Sequence, residues 1–347
     1  MKENVKAVVK TESGFDKMML ENVAEPVVYG NRVKIKVAYT GICGSDIHTF
    51  KGEYGNPTTP VTLGHEFSGV VVAIGPDVTN LKVGDRVTSE TTFETCGTCK
   101  FCLEKEYNLC SHRRGIGTQA NGSFAEYVLS REESCHTLVD SISYQAAALT
   151  EPLACCVHAA LEKTTIEPTD TVLIFGPGPI GLLLAQVVKA QGATVIMAGI
   201  TKDSERLKLA AELGIDRTVD TMQENLADIV FAMTEGYGAD KVFDCSGAVP
   251  AVNQGLPLTA KKGTFGQVGL FAEKCNPIDE ESIIQREITY IGSRSQKPSS
   301  WHIALDLLAN GKIDTKRMIT KVYDLEEWRD GFEAVMAGNE IKVLVKS

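Results

Sequence analysis

Short runs of alternating or continuous apolar residues fill the first third of the chain: KAVVK near its start, RVKIKVAY from Arg32, FSGVVVAIG from Phe67 and DRVTS from Asp85. Gly, Pro and Asn separate them, and a period of two between such breakers predicts β-strands. Their density predicts an all-β barrel. From about residue 171 an apolar strand is followed by a helix, again and again: TVLIF by PIGLLLAQVVKA, TVIMA by SERLKLAAELG, ADKVFDC by VPAVNQGLPLTA, and then GTFGQVG. This alternation predicts a parallel sheet covered by helices, so the fold class is α/β. After about residue 294 come two helix-like stretches, WHIALDLLANG and LEEWRDGFEAVMAG, and a closing strand, IKVLVK. They do not repeat the strand-helix unit and are assigned back to the first domain. No internal repeat or low-complexity tract interrupts the pattern.

A length of 347 residues with 43% hydrophobic content can supply two cores, at roughly 150 residues per domain. The formal charge of -10 removes the broad basic footprint that DNA, RNA or an anionic membrane would require. Small ligands are the expected partners. The segment MKENVKAVVK has no apolar stretch of the secretory kind, and no later window has the length of a membrane span, so a cytoplasmic location is expected. Ten cysteines then read as metal thiolates and small core residues rather than disulfides.

Their spacing carries the chemistry. Cys96, Cys99, Cys102 and Cys110 follow one another with two, two and seven intervening residues in CGTCKFCLEKEYNLC. Four thiolates on a short loop can close a tetrahedron around zinc with no open position. Iron-sulfur ligation is the rival. The absence of a proline after the fourth cysteine and of a second cluster favours zinc.

A second constellation is reactive in type. GICGSDIH brings together Cys43, Ser45, Asp46 and His48, and GHE adds His65 and Glu66 about twenty residues later. One thiolate, one imidazole and one carboxylate form a three-ligand set of the kind catalytic zinc uses, with a position left for water or substrate. Ser45 could instead cap a helix with Asp46 in its first turn. EPLACC places Glu151 just before the strand-helix region. Cys155, Cys156 and His158 on the same apolar segment are expected to be core residues.

Gly176, Gly178 and Gly181 form Gly-x-Gly-x-x-Gly after the strand TVLIF, at the start of a helix. In that context the glycines allow backbone amides and a helix N-terminus to approach a pyrophosphate, which predicts a nicotinamide dinucleotide. Pro179 and Ile180 inside the motif, with Arg206 and Val268, complete the expected contacts. Where an acid usually holds the ribose hydroxyls, MAGITKD has Thr201 and Lys202. That pair leans towards the 2'-phosphate of NADP; alternatively, Asp203 reaches the ribose of NAD.

In this order, GICGSDIH, LGHEFSGVV, the four-cysteine lobe, EPLACC and the glycine motif resemble the zinc-dependent medium-chain alcohol dehydrogenases along essentially the whole chain. Glu66 and Glu151 resemble the sorbitol, polyol and threonine dehydrogenase branch. The resemblance implies a GroES-like β-barrel catalytic domain at 1–152 and 295–347, with a structural zinc lobe at about 90–115, and a Rossmann domain at 153–294. It implies that Cys43, His65 and Glu66 bind the catalytic zinc, with Glu151 either a fourth ligand or bonded to zinc-bound water. Arg294 is similar to the arginine that faces substrate. The implied protein holds two zincs and NADP or NAD, forms a dimer or tetramer, and oxidises a polyol's secondary alcohol. The proton is expected to leave through Ser45 and His48. Threonine oxidation and zinc-independent quinone or enone reduction are the alternative chemistries.

Overall fold

A computed structural model describes residues 4–53 and 57–347 of the chain. Its strands up to residue 137 are β1 (Asn4–Lys10), β2 (Met18–Ala24), β3 (Arg32–Gly41), β4 (Val61–Thr62), β5 (Glu66–Ile74), β6 (Arg86–Ser89), β7 (Thr92–Glu94), β8 (Arg114–Gly115), β9 (Tyr127–Arg131) and β10 (Cys135–Thr137). The later strands are β11 (Thr171–Phe175), β12 (Thr194–Gly199), β13 (Arg217–Asp220), β14 (Ala239–Asp244), β15 (Thr259–Gln267), β16 (Thr289–Gly292), β17 (Ile319–Asp324) and β18 (Lys342–Lys346). Two compact units result. One comprises Met1–Glu151, Lys297–Ala309 and Thr315–Ser347, the other Pro152–Gln296 and Asn310–Asp314.

In the first unit the main sheet runs β10-β6-β5-β3-β18-β17, with β9 also paired to β3. Val33, Ile35 and Val37 sit on alternate positions of β3 and are buried, the pattern expected of a strand with one face on a core. Between β5 and β18, β3 is central: Gly41 lies opposite Glu66 on one side and Leu344 on the other. The helix Gly44–Lys51 packs Ile47 and Phe50 into a core with Phe124, Trp328, Phe332, Val343 and Val345. At about 1.5–3 kcal/mol per large apolar side chain buried, those contacts fix the helix, and with it the residues at its N-terminus.

The second unit is a six-stranded parallel sheet in the order β13-β12-β11-β14-β15-β16, the doubly wound dinucleotide-binding arrangement. All five residues of β11 are buried, as a strand covered on both faces requires. Asp244, fully buried at the end of β14, accepts from the Ser246 amide (3.0 Å), the Gly247 amide (2.9 Å) and Gln267 Nε2 (2.6 Å). It thereby shapes the loop beyond that strand. The amide of Asp314 donates to Gln186 Oε1 at 2.7 Å, tying the short segment 310–314 to this unit.

Several elements differ from the pattern-based expectation. The expected helix over VPAVNQGLPLTA stops at Gly255; a 3-10 turn covers Leu256–Leu258 and β15 already begins at Thr259. Pro257 lacks the amide an α-helical turn would use there. Strands β2, β13, β16 and β17 were not anticipated, because their mixed exposure blurs any alternation.

Candidate metal and dinucleotide sites

The four cysteines of the lobe converge. Their sulfurs are 3.8 Å apart for Cys96 and Cys102, 3.5 Å for Cys99 and Cys102, and 3.7 Å for Cys110 and Cys96. A tetrahedron with zinc-sulfur bonds of about 2.3 Å has edges of about 3.8 Å, so the cavity suits one ion and is too tight for an iron-sulfur cluster. The amides of Thr98 and Cys99 lower the Cys96 thiol to about 5, preparing a thiolate.

The second cluster comprises Cys43, His65 and Glu66, whose ligand atoms lie within 4.8 Å of one another. Local structure sets each. Cys43 is the N-cap of the helix Gly44–Lys51, a role that the sequence offered to Ser45. Asp46, in the first turn and buried, accepts from the Cys43 amide at 3.0 Å, and its other oxygen lies 3.7 Å from His65 Nδ1. One carboxylate thus bonds to the backbone of one of the three groups and lies within ion-pair distance of a second. His65 follows Gly64, whose φ of +91° favours glycine and where a Cβ would stand 2.8 Å from the Phe124 amide nitrogen. Burial opposes a charge on His65, yet Asp46 and Cys43 raise its pKa well above the ordinary value. Soft sulfur, imidazole and carboxylate together match zinc rather than an ion that prefers oxygen alone. Glu151, buried in the first turn of the helix Thr150–Val157, acts electrostatically on His65.

Sequence reasoning missed Lys342. Only 3% exposed in β18, its ammonium contacts Glu66 Oε2 and donates to the Ile42 carbonyl at 3.1 Å. Burial alone would lower its pKa, but Glu66 and Cys43 prevail and raise it. A cation within the otherwise apolar run IKVLV, residues 341–345, was the available signal.

Other expected residues are spread more widely. Ser45 is half-buried; His48, one turn on, is exposed and pairs through Nδ1 with Glu53 at 2.8 Å. Arg294 is exposed in the second unit, just beyond β16. Cys156 donates to the Ile180 carbonyl at 3.3 Å, and His158 pairs with Glu162 at 2.6 Å inside the protein, both as packed residues.

In the second unit a cleft of about 740 Å³ is lined by Gly176, Gly178, Lys202, Asp203, Arg206 and Ser246, among others. Pro179 opens the helix Pro179–Ala190, with Ile180 beside it. Gly181 sits so close to Gly176 that a Cβ there would stand 2.0 Å from the Gly176 carbonyl oxygen. The Val268 amide donates to the Asp244 carbonyl at 2.9 Å. Thr201 donates its hydroxyl to Asp220 at 2.8 Å, while Asp203 Oδ2 accepts from the Ile200 amide at 3.1 Å. Strand β12 ends not on an acid but on Gly199, where a Cβ would lie 3.0 Å from Pro177 Cγ and 3.2 Å from Leu207 Cδ2.

Comparison with known proteins agrees with this geometry. The alcohol dehydrogenase GroES-like domain model matches residues 30–140, and the zinc-binding dehydrogenase model matches residues 179–310. The chain is 62% identical to a D-arabitol-phosphate dehydrogenase of Enterococcus avium, covering 100% of this chain and 99% of that one. It is 51% identical to a sorbitol dehydrogenase of Halalkalibacterium halodurans, covering 98% and 99%. A Sinorhizobium meliloti protein described as a zinc-binding dehydrogenase, solved with NADP bound, superposes with a TM-score of 0.92 at 34% identity over 100% of both chains. A barrel unit carrying two metal-type clusters, a doubly wound unit with a dinucleotide cleft, and full-length similarity to dehydrogenases of sugar alcohols place the protein: it is an enzyme of the zinc-dependent medium-chain alcohol dehydrogenase family, in its polyol branch.

Proposed function

We propose that the enzyme oxidises a secondary alcohol of an acyclic polyol, or of a polyol phosphate, to the ketone, passing hydride to NADP in preference to NAD and releasing one proton. The carrying observation is the sulfur, nitrogen and oxygen set of Cys43, His65 and Glu66, in a chain 62% identical along its length to a D-arabitol-phosphate dehydrogenase. On this reading those three residues hold the catalytic zinc, with Glu151 as a fourth ligand or a partner of zinc-bound water, and Cys96, Cys99, Cys102 and Cys110 hold a structural zinc.

A zinc held by Cys43, His65 and Glu66 would supply a Lewis acid for the alcohol, and a dinucleotide seated in the cleft would supply the hydride acceptor. The chain does the rest. Asp46 keeps the Cys43 and His65 donors aligned. Ser45 takes the hydroxyl proton and passes it to His48, three residues on along the same helix face, where Glu53 steadies the imidazole. Arg294 meets the substrate's hydroxyl or phosphate oxygens. Gly176, Gly178 and Gly181, with Pro179, Ile180 and Val268, seat the dinucleotide. Lys202 and Arg206, beside Thr201, receive a 2'-phosphate that an acid at the end of β12 would repel. We further propose a cytoplasmic dimer or tetramer; among the described residues no helix is long and apolar enough to cross a membrane.

Turnover of D-arabitol phosphate, D-arabitol, sorbitol and threonine with NADP and with NAD tests the reading, in wild type and in Cys43→Ser. Ketone should form from the polyols or their phosphates, and Cys43→Ser should lose turnover and one zinc per chain while still binding dinucleotide. Threonine as the sole substrate overturns the substrate class. Near-normal turnover by Cys43→Ser overturns the metal assignment.

A further inference from the structure

A buried ion pair crosses the central strand of the barrel beside the open metal cluster. Glu66 opens β5 and Lys342 opens β18, and these strands flank β3 at Gly41. The two side chains meet over that glycine: a Cβ at Gly41 would stand 2.2 Å from Glu66 Oε2 and 2.8 Å from Lys342 Cε. Glu66 is 1% exposed and Lys342 3%, so both partners lie out of contact with bulk solvent. Separating two charges at such depth would leave each uncompensated in a low-dielectric interior, which makes the pairing persistent. The ammonium has a second anchor in the Ile42 carbonyl, at 3.1 Å. That residue immediately precedes Cys43.

We propose that Lys342, in the space kept by Gly41, is the positioning residue of the open site: it occupies Oε2 of Glu66 and leaves the other carboxylate oxygen as the single one offered to the metal. The inference rests on the reading that Cys43, His65 and Glu66 hold the catalytic zinc. Its consequence is a count of coordination positions. A carboxylate free to turn can bind through both oxygens and fill the place that a substrate hydroxyl needs; a carboxylate held at one oxygen cannot. The ammonium also cancels one of the negative charges that Cys43 and Glu66 bring, so the metal stays a stronger Lewis acid towards the alcohol.

The test uses the full-length protein with cobalt(II) at the open site, whose visible absorption is strong for four ligands and weak for five. Lys342→Met should keep the metal but lose absorption intensity. Its polyol kcat/KM should fall about 10- to 100-fold, the usual cost of losing a partner that orients a metal ligand. Dinucleotide affinity should not change, and Lys342→Arg should restore most of both readouts. A folded Lys342→Met with an unaltered cobalt spectrum overturns the proposal. So does a crystal structure of the zinc-loaded wild type in which Glu66 chelates through both oxygens, a result independent of whether any variant folds. Glu66→Gln separates the two levels. If its cobalt spectrum is that of the wild type, the ligand reading itself fails; if that spectrum changes while Lys342→Met is silent, only the positioning role fails.

Discussion

Asp203 and Asp220 show how a single residue's hydrogen bonds alter a reading of cofactor choice. Both are acids near the end of β12, where a carboxylate facing the cleft would favour NAD. One oxygen of Asp203 is taken by the Ile200 amide, and Asp220 is engaged by the Thr201 hydroxyl and the Met222 amide. Lys202 and Arg206 line the cleft beside acids whose oxygens are already engaged by the protein itself. Charge-assisted bonds to a phosphate are worth about 1.5–3 kcal/mol each. Lys202→Ala should accordingly raise KM for NADP roughly 10-fold or more and leave KM for NAD within about a factor of two, measured by initial rates at saturating polyol. An equal rise for both cofactors would remove Lys202 from 2'-phosphate recognition. From the sequence alone, the missing acid was visible in MAGITKD, but the bond from Thr201 to Asp220 was not, because it depends on how two parallel strands end side by side.

Elements were legible where one period dominated. Strand β11, the helix Pro179–Ala190 and the strong alternation of β3 could be read directly, and the metal-type residues came with them because each lies at an element's edge: Cys43 at a helix N-cap, Glu66 at the first position of β5. Lys342 could not be found this way, since its partner is distant in sequence and the register β5-β3-β18 alone brings them together. Close approach between elements was legible through glycine. At Gly181 the helix Pro179–Ala190 lies against the turn that follows β11, with no space for even a methyl group. Gly181→Ala should force that helix away from the turn. The variant should lower the urea midpoint, at a cost of about 1–3 kcal/mol, and weaken dinucleotide binding at least 10-fold by fluorescence titration. Unchanged binding would show that the helix start does not touch the pyrophosphate.

On the scale of the whole molecule, two cores and two metal-type clusters make stability and activity separable. The lobe cluster is closed by four sulfurs at 3.5 to 3.8 Å, whereas the Cys43 cluster brings three donors together, one short of a closed tetrahedron. A chelator should strip the open site first. Activity should then vanish with about one zinc released per chain, before the melting temperature moves; release of the second zinc should bring the fall in melting temperature. Simultaneous loss of both, followed by zinc release and melting in parallel, would contradict the division into a catalytic and a structural site. The chain's net charge of -10 has no part in this, and matches a ligand small enough to be held by a few convergent groups.

The placement of β18 imposes an order on the making of this enzyme. Its partner β3 ends at Gly41, while β18 starts at Lys342, and the entire six-stranded unit is encoded between them. A nascent chain can complete the second unit while the barrel still lacks both the strand that closes one side of β3 and the cation that pairs with Glu66. Until then an acidic side chain destined for the interior has no counter-charge, and the groove over Gly41 stands open. Metal loading at the open site should therefore be a late event of biosynthesis. A translation pause shortly before residue 342 would prolong the interval in which the barrel is exposed to misfolding or to capture of the wrong ion.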